Sequence, residues 1–142
     1  MLSAQRSILI DRPPDAVFAS FADGATAPQW RSGVLDVSHV SGQGVGSVWR
    51  QGVKGPGGRR IAADYEITAY EPSQRLGFRA IAGPVRPTGE YVLAPEGSGT
   101  RLTFSLDARI GGLQGLLMGR MVQSTMDAEM AALDRLKAVL EA

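Results

Sequence analysis

Residues 100–142, TRLTFSLDARIGGLQGLLMGRMVQSTMDAEMAALDRLKAVLEA, change from one hydrophobic period to another along their length. Leu102, Phe104 and Leu106 alternate with polar residues, which is the period-two pattern of a half-buried strand. From Met118 onward, apolar residues recur at steps of three and four, which predicts a long amphipathic helix. At about 1.5 Å per residue, such a helix is roughly 40 Å long and can lie across a whole sheet of about six or seven strands.

Upstream of this segment, the chain predicts one strand, two short helices and a series of strands. The first strand covers residues 4–11, and the helices PPDAVFASFAD and TAPQWRSGV have proline in the first turn, where its missing N–H costs little. Turns rich in glycine and proline then follow at short spacing, which favours an antiparallel sheet. Its predicted strands are residues 34–40, 47–53, 60–70, 75–82, 89–93 and 100–110.

The composition limits the classes of function. The chain of 142 residues fits one domain, residues 1–142, large enough to enclose a small cavity. Lys and Arg total 15 against 14 Asp and Glu, without a basic run, so we expect no nucleic-acid partner. Because cysteine is absent and histidine occurs once, we expect no disulfide, no metal and no cofactor. Neither a signal-peptide pattern nor roughly 20 consecutive apolar residues occur, so we expect a cytoplasmic protein without stable membrane insertion.

The segment SGQGVGSVWR, residues 41–50, has three glycines at alternate positions and therefore suggests a phosphate-binding loop or a turn. A dinucleotide fingerprint needs its glycines to open a helix, whose free N–H groups bind the phosphates. Here the sequence continues as a strand, and Ser47 occupies the place of the last glycine. We therefore interpret the segment as a turn between strands, with Gly42 or Gly44 at positive φ.

The order of strand, two short helices, six strands and one long helix is that of the helix-grip fold, β-α-α-β6-α. In this α+β fold, a curved antiparallel sheet wraps around the C-terminal helix. Five segments resemble successive motifs of the START-like (SRPBCC) superfamily. Within that superfamily, they are most similar to the polyketide cyclase/dehydrase and lipid-transport group. They are SILIDRPPDAVFASFAD, PQWRSGV, GVGSVWR, YEITAYEPSQRLGFR and PEGSGTRLTF, which together cover nearly the whole chain in the right order.

This resemblance implies a cavity between the sheet and the C-terminal helix that holds an apolar or aromatic ligand. It implies no particular reaction, because one fold can host many functions. The candidate ligand-binding residues are Trp30, Trp49, Tyr65, Phe78, Tyr91, Phe104, Met118, Val122 and Met126. Tyr65 and Tyr91 matter most, because a phenol facing an apolar cavity supplies one oriented hydrogen bond to a ligand carbonyl.

His39 is a candidate general base, since a neutral imidazole can accept a proton near pH 7. A triad with a serine and Asp36 or Asp107 is conceivable. However, no serine lies in a nucleophile-elbow pattern, and a single histidine near the end of a strand is more often a surface residue.

Among the carboxylates, Asp64 and Glu66 alternate with apolar residues and are expected to be solvated. Glu90 is a weaker catalytic candidate with two possible orientations. Either Tyr91 faces the helix and Glu90 lies outside, or the reverse. The arginines that could anchor an anionic ligand are Arg31, Arg50, Arg79 and Arg86, although arginine is much commoner at the surface.

Three functions follow from these patterns. The first is the binding of a small hydrophobic or aromatic molecule, such as a polyketide, a lipid or a related metabolite. The second is a cyclase or dehydratase, in which Tyr65, Tyr91 or Glu90 polarises a carbonyl. The third is a partner-binding module of the chaperone-activator or toxin type, with a filled interior and an exposed apolar patch. The sequence also gives a faint indication of a homodimer.

Overall fold

The computed structural model describes residues 2–83, 85–109 and 112–142 and consists of strands, two α-helices and two short 3-10 segments. The strands are β1 Leu2–Ile10, β2 Val34–Ser41, β3 Val48–Lys54, β4 Arg60–Ala62, β5 Tyr65–Glu71, β6 Arg75–Ala80, β7 Thr88–Glu96 and β8 Gly99–Ala108. The α-helices are α1 Pro14–Ala22 and α2 Gly112–Glu141, and the 3-10 segments are Gly24–Gln29 and Pro56–Gly58. Position 110, the end of the last predicted strand, lies outside the described residues.

All the strands join one curved, antiparallel sheet in the order β1-β8-β7-β6-β5-β3-β2, with β4 paired to β3. This sheet and its C-terminal helix confirm the predicted α+β helix-grip fold. The element order differs from the prediction at one point, because residues 60–70 form β4 and β5 instead of a single strand. Between β4 and β5, the Asp64 carboxylate accepts a hydrogen bond from the backbone N–H of Gln51 at 3.1 Å. This side-chain contact takes the place of a backbone hydrogen bond between strands.

The turn interpretation of residues 41–50 is confirmed. Gly42 and Gly44 have φ of 75° and 63°, values that glycine adopts without the steric cost of a side chain. The Ser47 hydroxyl donates to the Gly44 carbonyl at 2.7 Å and closes the turn. The segment connects β2 to β3 and places Trp49 on the second strand.

The apolar face of α2 packs across the inner face of the sheet. The helix buries Val122, Met126, Met130, Leu133 and Leu136, at the helical spacing that the sequence predicts. The same core cluster includes Leu102 and Phe104 of β8 and Ile8 and Ile10 of β1. Burial is most complete toward the C-terminal end of α2, where Leu133 is 0% exposed.

Leu133→Ala is expected to lower the free energy of unfolding by about 2–5 kcal/mol, because it leaves a cavity in the helix–sheet interface. Val139→Ala on the same helix is the control, since Val139 is 46% exposed and its truncation should cost less than about 0.5 kcal/mol. Urea unfolding monitored by circular dichroism measures both. Equal losses in the two variants would contradict the packing of α2 on the sheet.

Candidate ligand-binding site

A cavity of about 460 Å³ lies between the inner face of the sheet and the part of α2 from Met118 to Glu129. Ligand cavities in proteins commonly measure about 300–1,000 Å³, so this volume suits a small molecule. Most of the lining side chains are apolar or aromatic. The sheet contributes Val53, Tyr65, Ile67, Leu76, Phe78, Tyr91, Phe104 and Leu106, and the helix contributes Met118, Val122 and Met126.

A stack of aromatic rings forms one wall of this cavity. The ring of Tyr91 lies parallel to that of Phe104, with centroids 4.2 Å apart, and stacks on Phe21 at 4.4 Å. Phe78 contacts both Tyr91 and Tyr65 at centroid distances of 6.2 and 6.1 Å. The wall arises because alternate residues of neighbouring strands point to the same face of a sheet.

The tyrosines of this wall are neutral hydrogen-bond donors. Burial raises the pKa of Tyr65 to about 12, although the positive charge of Arg31 opposes this effect. Burial also raises the pKa of Tyr91, again against the charge of Arg31. Both phenols therefore keep their protons at neutral pH and can donate to an acceptor in the cavity.

A largely buried ion pair lies in the mainly apolar lining. The guanidinium of Arg31 donates from Nε and Nη2 to the two carboxylate oxygens of Glu129, at 2.7 and 3.0 Å. Its Nη1 donates to Oε1 of Gln51 at 2.9 Å. The side chains of Arg31 and Glu129 are only 18% and 17% exposed. Burial alone would lower the pKa of Arg31, but the charge and hydrogen bonds of Glu129 outweigh it and raise the pKa.

The sequence analysis named Arg31 as a possible anchor for an anionic ligand, but it missed Glu129 and the pairing of these two residues. Arginine is usually a surface residue, but Arg31 lines the cavity. Glu129 lies three positions after Met126 and seven after Val122, and therefore on the apolar face of the helix. A carboxylate in that stripe is the signal that could have identified the site.

Trp30 supplies a further buried donor. It lines the cavity and is 3% exposed, and its Nε1 has no hydrogen-bond acceptor among the described residues. A buried N–H without an acceptor costs about 1–3 kcal/mol, so such groups are rare outside functional sites.

Some of the lining residues are exposed to solvent. Met121 and Thr125 line the cavity and are solvent-exposed. Asp23 and Lys54 also line it and are exposed, which gives its rim one charge of each sign.

Most of the residues expected to bind ligand are brought together in this lining. They are Trp30, Tyr65, Phe78, Tyr91, Phe104, Met118, Val122 and Met126. Trp49 is the exception. It pairs with Tyr65 across β3 and β5 and stacks on its ring at 6.4 Å, but it packs beside His39 and lies outside the lining.

The structure places neither His39 nor Glu90 in the cavity lining. His39 is exposed near the end of β2, where its Nε2 lies 2.6 Å from the Gly42 carbonyl oxygen. Glu90 lies on the outer face of β7 and pairs with Arg75 at 2.7 Å, while Tyr91 is buried on the inner face. Of the two orientations, the one with Glu90 outside is therefore found.

Several other charged candidates are held in ion pairs outside the cavity lining. Asp36, one of the two carboxylates considered for a His39 triad, pairs with Arg60 at 2.8 Å. Glu66 was expected to be solvated, but it is half-buried and pairs with Arg79.

Within residues 2–83, 85–109 and 112–142, no group of three or more His, Asp or Glu side chains is arranged to hold a metal ion. No helix in the described part of the chain is long and apolar enough to cross a membrane.

The sheet and the C-terminal helix define a helix-grip protein, and its interior contains a cavity lined mainly by apolar and aromatic side chains. The model of the family described as polyketide cyclase / dehydrase and lipid transport matches residues 1–141, and the chain belongs to this family. A search of curated proteins finds no match.

Solved structures show the same fold at low sequence identity. TTHA0849 from Thermus thermophilus is 21% identical with a TM-score of 0.82, covering 98% of this chain and 97% of that one. DR_A0006 from Deinococcus radiodurans is 20% identical with a TM-score of 0.71, and the coverage is 96% and 95%. The di-domain ARO/CYC protein BexL, from the BE-7585A biosynthetic pathway, is 21% identical with a TM-score of 0.73, covering 94% of this chain and 45% of that one.

Gly24→Ala is expected to disturb the aromatic wall and lower the free energy of unfolding by about 1–3 kcal/mol. A Cβ at this position would clash with the Tyr65 hydroxyl and lie 2.9 Å from Cε3 of Trp49. Gly33→Ala is the matched control, because a Cβ there has nothing within 4 Å. Chemical denaturation measures the difference, and equal stability of the two variants would contradict the close packing at Gly24.

Tyr65 is expected to make the protein less stable as the pH rises from 10 to 12. In this range the unfolded chain releases the phenol proton and the native chain keeps it, so the unfolded state binds fewer protons. Tyr65→Phe should make the decline shallower by up to about 1.4 kcal/mol per pH unit. Urea unfolding across this range measures the slope. Identical slopes in the wild type and the variant would contradict the raised pKa.

Proposed function

We propose that the protein binds a small hydrophobic or aromatic molecule, such as a polyketide, a lipid or a related metabolite, in the cavity between the sheet and α2. The observation that supports this most strongly is the cavity itself, which combines a volume of about 460 Å³ with a mainly apolar and aromatic lining. A few polar groups, on Tyr65, Tyr91 and Arg31, lie among these apolar side chains. That combination is typical of small-molecule sites, in which apolar surface gives affinity and a few polar groups fix orientation.

The cavity favours ligand binding over a partner-binding module, because the latter needs no space between sheet and helix. Membership of a family described as polyketide cyclase / dehydrase and lipid transport supports the same choice. Trp30 adds a physical reason, since an acceptor on a bound molecule could satisfy its buried Nε1–H.

A cyclase or dehydratase is the second candidate function. It is favoured by the neutral phenols of Tyr65 and Tyr91, which can donate to a ketone and polarise it while the cavity holds the substrate folded. The similar fold of the ARO/CYC protein BexL is consistent with this chemistry. The two functions differ in whether the bound molecule leaves unchanged, which mass spectrometry of the released ligand distinguishes.

Ala80→Phe is expected to weaken the binding of naphthalene, a purely apolar probe, by about tenfold or more. Ala80 lines the cavity from β6, and a phenyl ring there would occupy space that the ligand needs. Ala94→Phe is the matched control, because Ala94 is exposed on β7. NMR titration measures both affinities. If naphthalene binds to neither the wild type nor the control, or binds equally to all three proteins, the proposed function is wrong.

A further inference from the structure

We propose that the Arg31–Glu129 pair selects an uncharged ligand with a carbonyl or phenol oxygen at one end, and disfavours ligands with a carboxylate there. This inference rests on the proposed function and adds the chemical class of the ligand's polar end. Arg31, Gln51 and Glu129 all line the cavity and therefore border the volume that a ligand would occupy.

The hydrogen bonds of the pair leave N–H donors on Arg31, while both carboxylate oxygens of Glu129 are engaged. Glu129 uses both carboxylate oxygens on Arg31. Gln51 accepts from Arg31 and donates its own amide N–H to the Ala63 carbonyl at 3.2 Å, which fixes its orientation. A guanidinium has five N–H donors, and the described residues accept from three of them in Arg31. One N–H on Nη1 and one on Nη2 therefore remain available to a ligand oxygen.

The charge of the pair disfavours an anion. Arg31 is neutralised by Glu129, so a ligand carboxylate that reached Arg31 would lie close to a second carboxylate in a poorly solvated cavity. The other charged lining residues are Asp23 and Lys54, whose opposite signs provide no net positive charge. Burying an ionised group without a compensating charge is much more costly than burying a ketone.

The remaining polar groups of the site also suit an acceptor oxygen. Tyr65 and Tyr91 keep their phenolic protons and line the same cavity, so they add donors near Arg31. The parallel rings of Tyr91 and Phe104 offer an apolar surface to the body of the ligand. An aromatic ketone combines these features in one molecule.

The test uses three probes with one ring system: naphthalene, 2-acetylnaphthalene and 2-naphthoate. For the wild type we expect 2-acetylnaphthalene to bind about tenfold or more tightly than 2-naphthoate, since only the carboxylate of 2-naphthoate incurs the cost of burying a second negative charge beside Glu129. NMR titration at neutral pH gives the three dissociation constants. Equal or tighter binding of 2-naphthoate would overturn the inference.

Glu129→Gln should shift the ratio of the two affinities toward 2-naphthoate by about tenfold, because the positive charge of Arg31 is then uncompensated. Asp134→Asn is the matched control. Asp134 also lies on α2 and accepts two hydrogen bonds from one arginine, Arg6, at 3.0 and 2.6 Å, but it is outside the cavity lining. In Asp134→Asn, the ratio of the affinities for 2-acetylnaphthalene and 2-naphthoate should equal that of the wild type. If Glu129→Gln also leaves this ratio unchanged, the inference is contradicted.

A double variant, Arg31→Met with Glu129→Met, keeps the inference testable if the single variant does not fold. Replacing a buried ion pair with apolar residues is often neutral or stabilising, so this protein should fold. Its preference for 2-acetylnaphthalene over naphthalene should be about tenfold smaller than that of the wild type, because only the tyrosine donors remain. An unchanged preference would refute the role of the pair. If naphthalene does not bind the wild type, both proposals fall. If naphthalene binds and Ala80→Phe weakens that binding, but the wild type does not prefer 2-acetylnaphthalene to 2-naphthoate, only this inference fails.

Discussion

The packing of α2 across the curved sheet is the constraint on which the rest of the structure depends. At the C-terminal end of the helix, Leu133 and Leu136 are 0% and 1% exposed and belong to the same core cluster as Ile8 and Ile10. Nearer its beginning, residues Met118 to Glu129 line a cavity. One helix therefore packs into the core at its C-terminal end and lines a cavity of ligand size nearer its beginning.

The polar groups of the cavity are few, and their arrangement matters more than their number. A buried ion pair is weak evidence for stability, because the cost of desolvating both charges offsets much of their attraction. The bidentate contact with Arg31 engages both carboxylate oxygens of Glu129 and leaves guanidinium N–H donors available. A proposed role in ligand selection gives a physical reason for placing two charges among aromatic side chains.

The fold could be predicted from the sequence because its determinants are local. Alternation in β8 and the helical spacing in α2 identify the two layers, and the glycines at 42 and 44 identify a turn. The break between β4 and β5 could not be predicted, because it depends on a contact from Asp64 to the backbone of another strand. Local alternation alone suggests one continuous strand there.

The site was only partly predictable, because some of its contacts join residues that are far apart in the sequence. The aromatic and methionine residues of the lining follow from the family resemblance and the inner-face pattern, but Trp49 packs beside His39 outside the lining. Arg31 and Glu129 are 98 positions apart in the chain, and no local pattern links them. Their pairing becomes visible only when α2 lies against the segment that follows the first 3-10 helix.

The most direct test of the central claim is a crystal structure of the protein purified from its own host without added ligand. The account predicts electron density for one elongated, mainly apolar molecule in the cavity, with an uncharged oxygen within hydrogen-bonding distance of the Arg31 guanidinium. An interior filled completely by side chains would contradict it.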